Sequence, residues 1–358
     1  MDIVKKYMNI SINTSNNLII VILSPTFLCN AICKHCGNSL YNSKYDDKIL
    51  SPEELYISVK NVLNTFYYNQ LENCKIYYVF HGGEPLLLGT KYIENFIKLN
   101  KDIDCIYSIQ TNMLLYTHQW KNIFSEYNFT VNTSYDFFTD VRKLPSGEDY
   151  YSIWYKRIQK YIQDTGKKIK TVVTLNKKNM SYIEDIIDIA HELNIDLELN
   201  CMRPSGRAIK NYNNNFLTPE EYGMILCKAY TYGQKYEDMI IRYGHDIKNI
   251  TKQEKKYLCP FTRDCINSMF MIDPLGNMHK CPTAFQFGFS DFGNALTNQL
   301  DRKKFLKFKT ITSIPVEKCY DCDICFNGGC PIDRIEKKIL IGKEGTYCIS
   351  YKMLYQKK

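Results

Sequence analysis

No apolar run in this 358-residue chain approaches the ~20 residues of a membrane span, and Met1 to Lys6 carry no signal-peptide pattern. Both absences predict a cytoplasmic protein with no membrane partner. There is no internal repeat and no low-complexity segment, so solenoids and tail-like regions are excluded. An RNA-binding appendage or a basic strip interleaved with aromatics is also missing, so the formal net charge of +8 does not predict a nucleic-acid partner. The basic runs Lys252 to Lys256 and Arg302 to Lys309 read as solvated faces. With no export signal a disulfide framework is not expected, because the cytosol keeps thiols reduced; the chain nevertheless has fifteen cysteines, and they point to metal.

Three of them form a C-x3-C-x2-C triplet, Cys29, Cys33 and Cys36, directly after the apolar run Leu18 to Leu23. Three thiolates this close can grip three corners of a [4Fe-4S] cubane and leave the fourth iron without a protein ligand. Zinc is the competing metal, with His35 as a fourth ligand, but zinc knuckles pair C-x2-C with a distant second pair and fit this spacing poorly.

The alternation of elements places the triplet. Leu18 to Leu23 reads as a buried strand broken by Ser24-Pro25, and Ser51-Pro52-Glu53-Glu54 as a helix start with serine cap, proline in the first turn and acids at the positive dipole end. Strands are expected at 75–80, 105–110, 129–134, 168–174 and 196–201. Helices are expected near 92–101, 118–125, 150–164 and 179–193, the last with Ile183, Ile186, Ile187, Ile189 and Ala190 on its apolar side. Thr218-Pro219-Glu220-Glu221 starts a helix to about Tyr236. Six strand-helix units predict a parallel sheet, too few for a closed eight-stranded barrel. Beyond Leu258 the alternation stops, and cysteines, glycines and short strands take over. The expected division is a polar segment 1–17, an α/β unit 18–236, a linker 237–258 and a cysteine-rich unit 259–358.

The triplet with His35 inside it resembles the signature of the radical S-adenosylmethionine (radical SAM) enzymes. So does Gly82-Gly83-Glu84-Pro85 after the second strand, which is similar to that family's GGEP motif. The resemblance implies a partial (β/α)6 barrel. It implies that SAM fills the open iron, and that one electron from the cluster cleaves SAM to a 5′-deoxyadenosyl radical. It also implies that Gly82, Gly83, Glu84 and Pro85 hold the SAM amine, as suits close backbone approach at glycine and a carboxylate accepting from an ammonium. By the same resemblance His35 is an aromatic wall for SAM, Asn112 of Gln110-Thr111-Asn112 and Ser134 with Asp136 are weaker SAM contacts, and Met202 is an adenine wall. For Asn112 and Asp136 ordinary turn chemistry is the alternative, and for Met202 core packing.

The last hundred residues hold eight cysteines, with a Gly-x4-Cys step from Gly276 to Cys281. They resemble the SPASM domain, the auxiliary-cluster extension of radical SAM peptide and protein modifiers. That implies two further [4Fe-4S] clusters, one on Cys259, Cys265, Cys281 and Cys330, the other on Cys319, Cys322, Cys325 and Cys348. The family's central spacing is C-x2-C-x5-C-x3-C, whereas here it is C-x2-C-x2-C-x4-C, so Cys325 is the ligand that departs from the pattern. Zinc ribbons are the competing reading of the array. Three clusters would offset about five units of the positive charge. Cys74, Cys105, Cys201 and Cys227 are expected as small buried hydrophobes.

The resemblance implies a maturase that oxidises or cross-links side chains of a ribosomally made peptide through thioether, carbon-carbon or carbon-oxygen bonds. Its partners would be the peptide and an electron donor such as flavodoxin or ferredoxin; since no room precedes Leu18 for a winged-helix leader-binding domain, the leader would dock elsewhere or on a separate leader-binding protein. The alternative is a formylglycine-generating enzyme of the anaerobic sulfatase-maturing type, which places an aspartate where this chain has Pro282. A second alternative is an iron-sulfur electron carrier without SAM chemistry. No residue stands out as the general base.

Overall fold

The computed structural model describes residues 17–38, 45–211, 214–242, 259, 265–288, 290–314, 316–319, 322, 324–325, 329–336 and 348–356. The amino-terminal polar segment before residue 17, most of the expected linker (243–258) and its basic run lie outside the described residues. The first part runs β1 (Asn17–Leu23), α1 (Pro52–Val62), β2 (Cys74–Phe80), α2 (Thr90–Leu99), β3 (Cys105–Gln110), α3 (His118–Glu126), β4 (Thr130–Ser134), α4 (Tyr150–Thr165), β5 (Ile169–Leu175), α5 (Ile183–Glu192) and β6 (Ile195–Cys201). These are the six strand-helix units expected, with ends within two residues at most boundaries. Both helix starts read from sequence are complete capping boxes: Ser51 and Glu54 exchange bonds across the start of α1, and Thr218 and Glu221 across that of α7 (Pro219–Gly233), which follows the short α6 (Arg207–Asn211). The helix beginning at Pro52 is α-helical to Val62, and Leu63–Tyr67 widens into a π-turn.

The sheet has nine strands, and neighbour follows neighbour from β6 back to β1, all parallel. Among the described residues its two edges are not paired, so it is an open, mostly parallel sheet rather than a closed barrel. Side-chain alternation explains its two faces. Ile169, Thr171, Val173 and Leu175 of β5 and Leu197 and Leu199 of β6 are wholly buried towards the helices. Val172, Thr174, Glu198 and Asn200, one step out of phase, line an internal cavity. Of the apolar face expected on α5, Ile183, Ile186, Ile187 and Ala190 are buried in the core and Ile189 packs partly exposed against it.

Two additions were not foreseen. β7 (Ile241–Arg242), inside the expected linker, extends the sheet beyond β6. At the other edge β8 (Met269–Ile272), which belongs to the cysteine-rich segment, pairs in parallel with Ile20–Leu23 of β1, and β9 (Met278–His279) turns back on it. The sheet therefore continues across the boundary drawn at 259. The remainder comprises α8 (Pro282–Gln286), the ribbon β10 (Gly293–Asn294) and β11 (Gln299–Leu300), α9 (Arg302–Ser313), α10 (Pro331–Glu336) and α11 (Cys348–Gln356). The lysines of α9 are solvated as expected, around a buried Phe305. α11 lies on α7, where Gly223 gives it room: a Cβ there would stand 2.7 Å from Met353 Sδ. No helix among the described residues is long and apolar enough to cross a membrane.

On the cavity face, Glu198 is paired with Lys170 Nζ at 2.9 Å and Arg242 Nη1 at 3.0 Å. Burial alone would raise the Glu198 carboxyl, but Arg242 and then Lys170 outweigh it and hold it at about 2. Burial draws Lys170 down, so Arg242 carries the larger share of the compensation. A carboxyl depressed in the folded state contributes stability that is present above the unfolded value of about 4.3 and lost as pH falls towards 2. Glu198→Gln is expected to cost about 3–5 kcal/mol at pH 7, since two buried cations then face each other. Urea unfolding should show the gap to the unsubstituted chain narrowing between pH 4 and pH 2; a gap independent of pH contradicts the pairing.

Candidate active site and metal centres

The cysteine loop leaves the carboxyl end of β1, where parallel sheets present ligands, and three segments hold it. The Gly-Gly-Glu loop after β2 donates Gly83 N–H to Thr26 O (3.0 Å) and Glu84 N–H to Leu28 O (2.8 Å). The approach is close enough that a Cβ on Gly83 would stand 2.0 Å from Leu28 O, and Gly82 sits at φ +112°. On its other side Ile32 N–H and Lys34 N–H donate to Lys143 O and Val141 O. Beneath, Arg207 N–H donates to Cys36 O, and Gly206 at φ +54° leaves no space for a side chain against that same carbonyl.

The thiols of Cys29, Cys33 and Cys36 all line the cavity, whose volume is 640 Å³. Cys29 opens onto it yet is ringed by protein, and burial pushes its thiol up to about 12, with Glu84, Cys33 and Cys36 adding to the rise. Burial also raises Cys33, against the pull of the Arg142 guanidinium. Three thiols in one another's field resist ionisation until a cationic core takes their charge, which is the chemistry of a cluster site. No group of three or more His, Cys, Asp or Glu among the described residues lies close enough to share a single metal ion. A cubane, whose corner irons are separate atoms, takes its thiolates from further apart than one ion does.

The expected SAM contacts surround the triplet. Glu84 is buried, and its carboxylate accepts from Leu86 N–H (3.0 Å) and Thr111 Oγ1 (2.6 Å) at Oε1 and from Asn112 N–H (2.7 Å) at Oε2. A carboxylate has about four lone-pair positions, so one remains at Oε2 for an ammonium. Burial pushes Glu84 up to about 7 in spite of those three donors. Asn112 also donates to Asn30 Oδ1 at 2.7 Å, bracing the cysteine loop. His35 lies in the cavity wall with Nε2 3.4 Å from Asp136 Oδ2, and burial lowers it to about 4. Asp136 itself is occupied by Arg142 Nε (2.8 Å) and Thr174 N–H (2.6 Å), so it serves as the internal counter-charge at the end of β4. Gly82, Gly83 and Ser134 line the cavity, and Met202 does so from a small apolar cluster with Val141 and Ala208. Pro85 is buried at the first position of the turn after Glu84.

In the carboxyl-terminal array Cys259, Cys265, Cys281 and Cys330 lie within one another's electrostatic reach. A hydrogen bond from Cys259 draws Cys330 down, with Arg203 assisting against burial. These are the four thiols assigned by resemblance to the first auxiliary cluster. Of the other four, Cys319 and Cys325 are buried, and both line the cavity with Cys348, the first residue of α11. Cys322 is held in a turn by its N–H to Cys319 O and is not part of the cavity wall. Cys74, Cys105, Cys201 and Cys227 are only partly buried against the core, and Cys201 faces the cavity.

Several functional side chains had no signal in the sequence. Arg142 is one. Another group is the relay in which Asn38 Nδ2 donates to Gly82 O (2.6 Å), Gln286 Nε2 donates to Asn38 Oδ1 (3.2 Å) and Ser205 Oγ donates to Gln286 Oε1 (3.2 Å). It ties the Gly-Gly-Glu loop to α8 of the cysteine-rich segment.

With that geometry in place, similarity to known proteins is informative. No protein-family model matches the chain. It is 23% identical to the cysteine-type anaerobic sulfatase-maturating enzyme of Clostridium perfringens over 357 aligned positions that cover 92% of each. To the serine-type anaerobic sulfatase-maturating enzyme of Bacteroides thetaiotaomicron it is 23% identical, covering 87% of this chain and 81% of that one. Among solved structures, native anSMEcpe with bound AdoMet and Kp18Cys peptide superposes with a TM-score of 0.75, at 21% identity over 95% and 96% of the two chains. The chain is a relative of the radical SAM enzymes with a SPASM-type extension. The fold also resembles that of Streptococcus suis SuiB bound to precursor peptide SuiA, with a TM-score of 0.63 at 14% identity over 97% and 78% of the two chains. The radical SAM enzyme expected from the motifs accordingly has relatives that are such enzymes.

Since backbone atoms of Phe27 and Leu28 occupy the space a Gly83 side chain would need, Gly83→Ala should displace the cysteine loop. After anaerobic reconstitution it is expected to lose about one cubane of iron per chain, with the auxiliary iron retained. Full iron loading in the variant would contradict the close packing of the two loops.

Proposed function

We propose that this radical SAM chain is a peptide maturase carrying three [4Fe-4S] clusters, one on Cys29, Cys33 and Cys36 and two on the carboxyl-terminal eight. It oxidises or cross-links a side chain of a ribosomally made peptide. When bound, the cluster on the triplet would supply the electron for reductive cleavage of SAM, the chemistry that starts hydrogen abstraction from the substrate. The chain's own residues hold and shield the reactants. The open lone pair of Glu84 Oε2 takes the SAM ammonium, His35 and Met202 flank the cosubstrate, and Asn112 and Ser134 contact it. The cavity reaches from the triplet to Cys259 and Cys330, so a peptide side chain seated in it has the SAM site on one side and auxiliary thiols on the other.

The observation that carries this reading is Pro282. It occupies the first turn of α8 immediately after Cys281, where formylglycine-generating enzymes place an aspartate, and it has no group that accepts a proton. Formylglycine formation on a cysteine or serine is the second reading, favoured by relatives of sulfatase-maturating type that match over nearly the whole chain. An external flavodoxin- or ferredoxin-like protein supplies electrons.

Anaerobic co-expression with short peptides encoded beside this protein, followed by mass spectrometry, decides between the readings. Loss of two hydrogens without aldehyde reactivity is expected. A hydrazine-reactive cysteine or serine product would reverse the order, and absence of 5′-deoxyadenosine from the reduced, fully loaded protein would leave only an electron carrier. Because Glu84 titrates near 7 and only its ionised form holds an ammonium, SAM affinity should fall about tenfold per pH unit below 7. A SAM dissociation constant unchanged from pH 8 to pH 5.5, measured by equilibrium binding, removes Glu84 from that role.

A further inference from the structure

Lys280 lies between β9 and α8, next to Cys281, and its side chain is wholly buried. Its Nζ has one oxygen partner, Met269 O at 3.0 Å, and no carboxylate among the described residues is within ion-pair distance of it. What faces it instead is sulfur: Nζ lies within electrostatic reach of Cys265 and of Cys281, the next residue in the chain. A wholly buried ammonium with no carboxylate beside it is costly. The arrangement becomes favourable once the neighbouring thiols are ionised, and with four thiolates on a cubane core the site carries about two net negative charges. The position is built into the fold: Lys280 N–H donates to Ser290 Oγ, and β9 is fixed to β8, whose first residue provides the carbonyl. Tyr67 closes the same region, its hydroxyl donating to Ile266 O beside Cys265.

We infer that Lys280 is the internal counter-charge of the cluster held by Cys259, Cys265, Cys281 and Cys330, and that it raises that cluster's reduction potential selectively over the other auxiliary cluster. This rests on the three-cluster reading above. Reduction adds one electron and makes the site more negative, so a fixed cation beside it stabilises the reduced form more than the oxidised one. Lys280 is in this sense a positioning and tuning residue, without contact to substrate.

The test is a redox titration followed by electron paramagnetic resonance on the full chain, reconstituted anaerobically, in a background where Cys29, Cys33 and Cys36 are replaced by alanine so that only auxiliary clusters remain. Lys280→Met should move one of the two one-electron waves to lower potential by at least a tenfold change in the reduced-to-oxidised ratio, ~59 mV, and leave the other in place; Lys280→Arg should restore most of the shift. Two unmoved waves in a fully loaded Lys280→Met protein overturn the inference. Where Lys280→Met does not retain iron, retention is compared across Met, Gln and Arg. Loading in Arg alone supports a charge requirement, and loss in all three overturns it. If the parent background binds zinc or no iron, it is the cluster reading itself that has failed.

Discussion

The contact on which the rest depends is one between two backbones. Gly83 lies so close to Phe27 and Leu28 that a single added carbon has no place, and the two hydrogen bonds across the contact fix the cysteine loop to the loop after β2. Everything around the triplet takes its position from that junction. Glu84, one residue on, has its carboxylate carried to the end of β3, where Thr111 and Asn112 receive it, and Asn112 in turn reaches back to Asn30 in the cysteine loop. The result is a closed circuit of three strand ends in which none of the loops can shift alone. Glycine is required there because neither the space nor, at Gly82, the backbone angle admits another residue.

A second theme is the placement of charge in a low-dielectric interior. The chain collects ionisable thiols in two buried regions and places cations beside each: Arg142, itself tied to Asp136, beside Cys33, and Lys280 and Arg203 beside the set Cys259, Cys265, Cys281 and Cys330. On the sheet's cavity face the sign is reversed, with one carboxylate, Glu198, between two cations. Such groups are tolerable only when paired, and their pairing explains why so polar an interior coexists with an apolar core on the sheet's other face.

Much of this was legible in the sequence because it is local. The capping boxes at Ser51 and Thr218, the parallel strands and the spacing of the triplet each depend on residues a few positions apart, and they appear where the pattern put them. The bridging groups were not legible. Arg142, Asn38 and Gln286 are single polar residues whose meaning comes from partners far along the chain, and no periodicity marks them. β8 was missed for a related reason: four apolar residues, Met269 to Ile272, are too short a run to announce a strand, and its pairing with β1 joins residues about 250 apart. Asp136 was a candidate ligand contact by position, and its bonds from Arg142 and Thr174 are something only the folded arrangement could reveal.

That pairing also fixes a length. β1 delivers the triplet from its carboxyl end, and β8, running alongside it in register, leads through β9 to Cys281. The triplet and Cys281 are thus rungs on one rigid ladder, with no hinge among the described strands that link them. Tunnelling falls steeply with separation, so clusters seated at both places under the proposed function would keep the same hop distance from one turnover to the next.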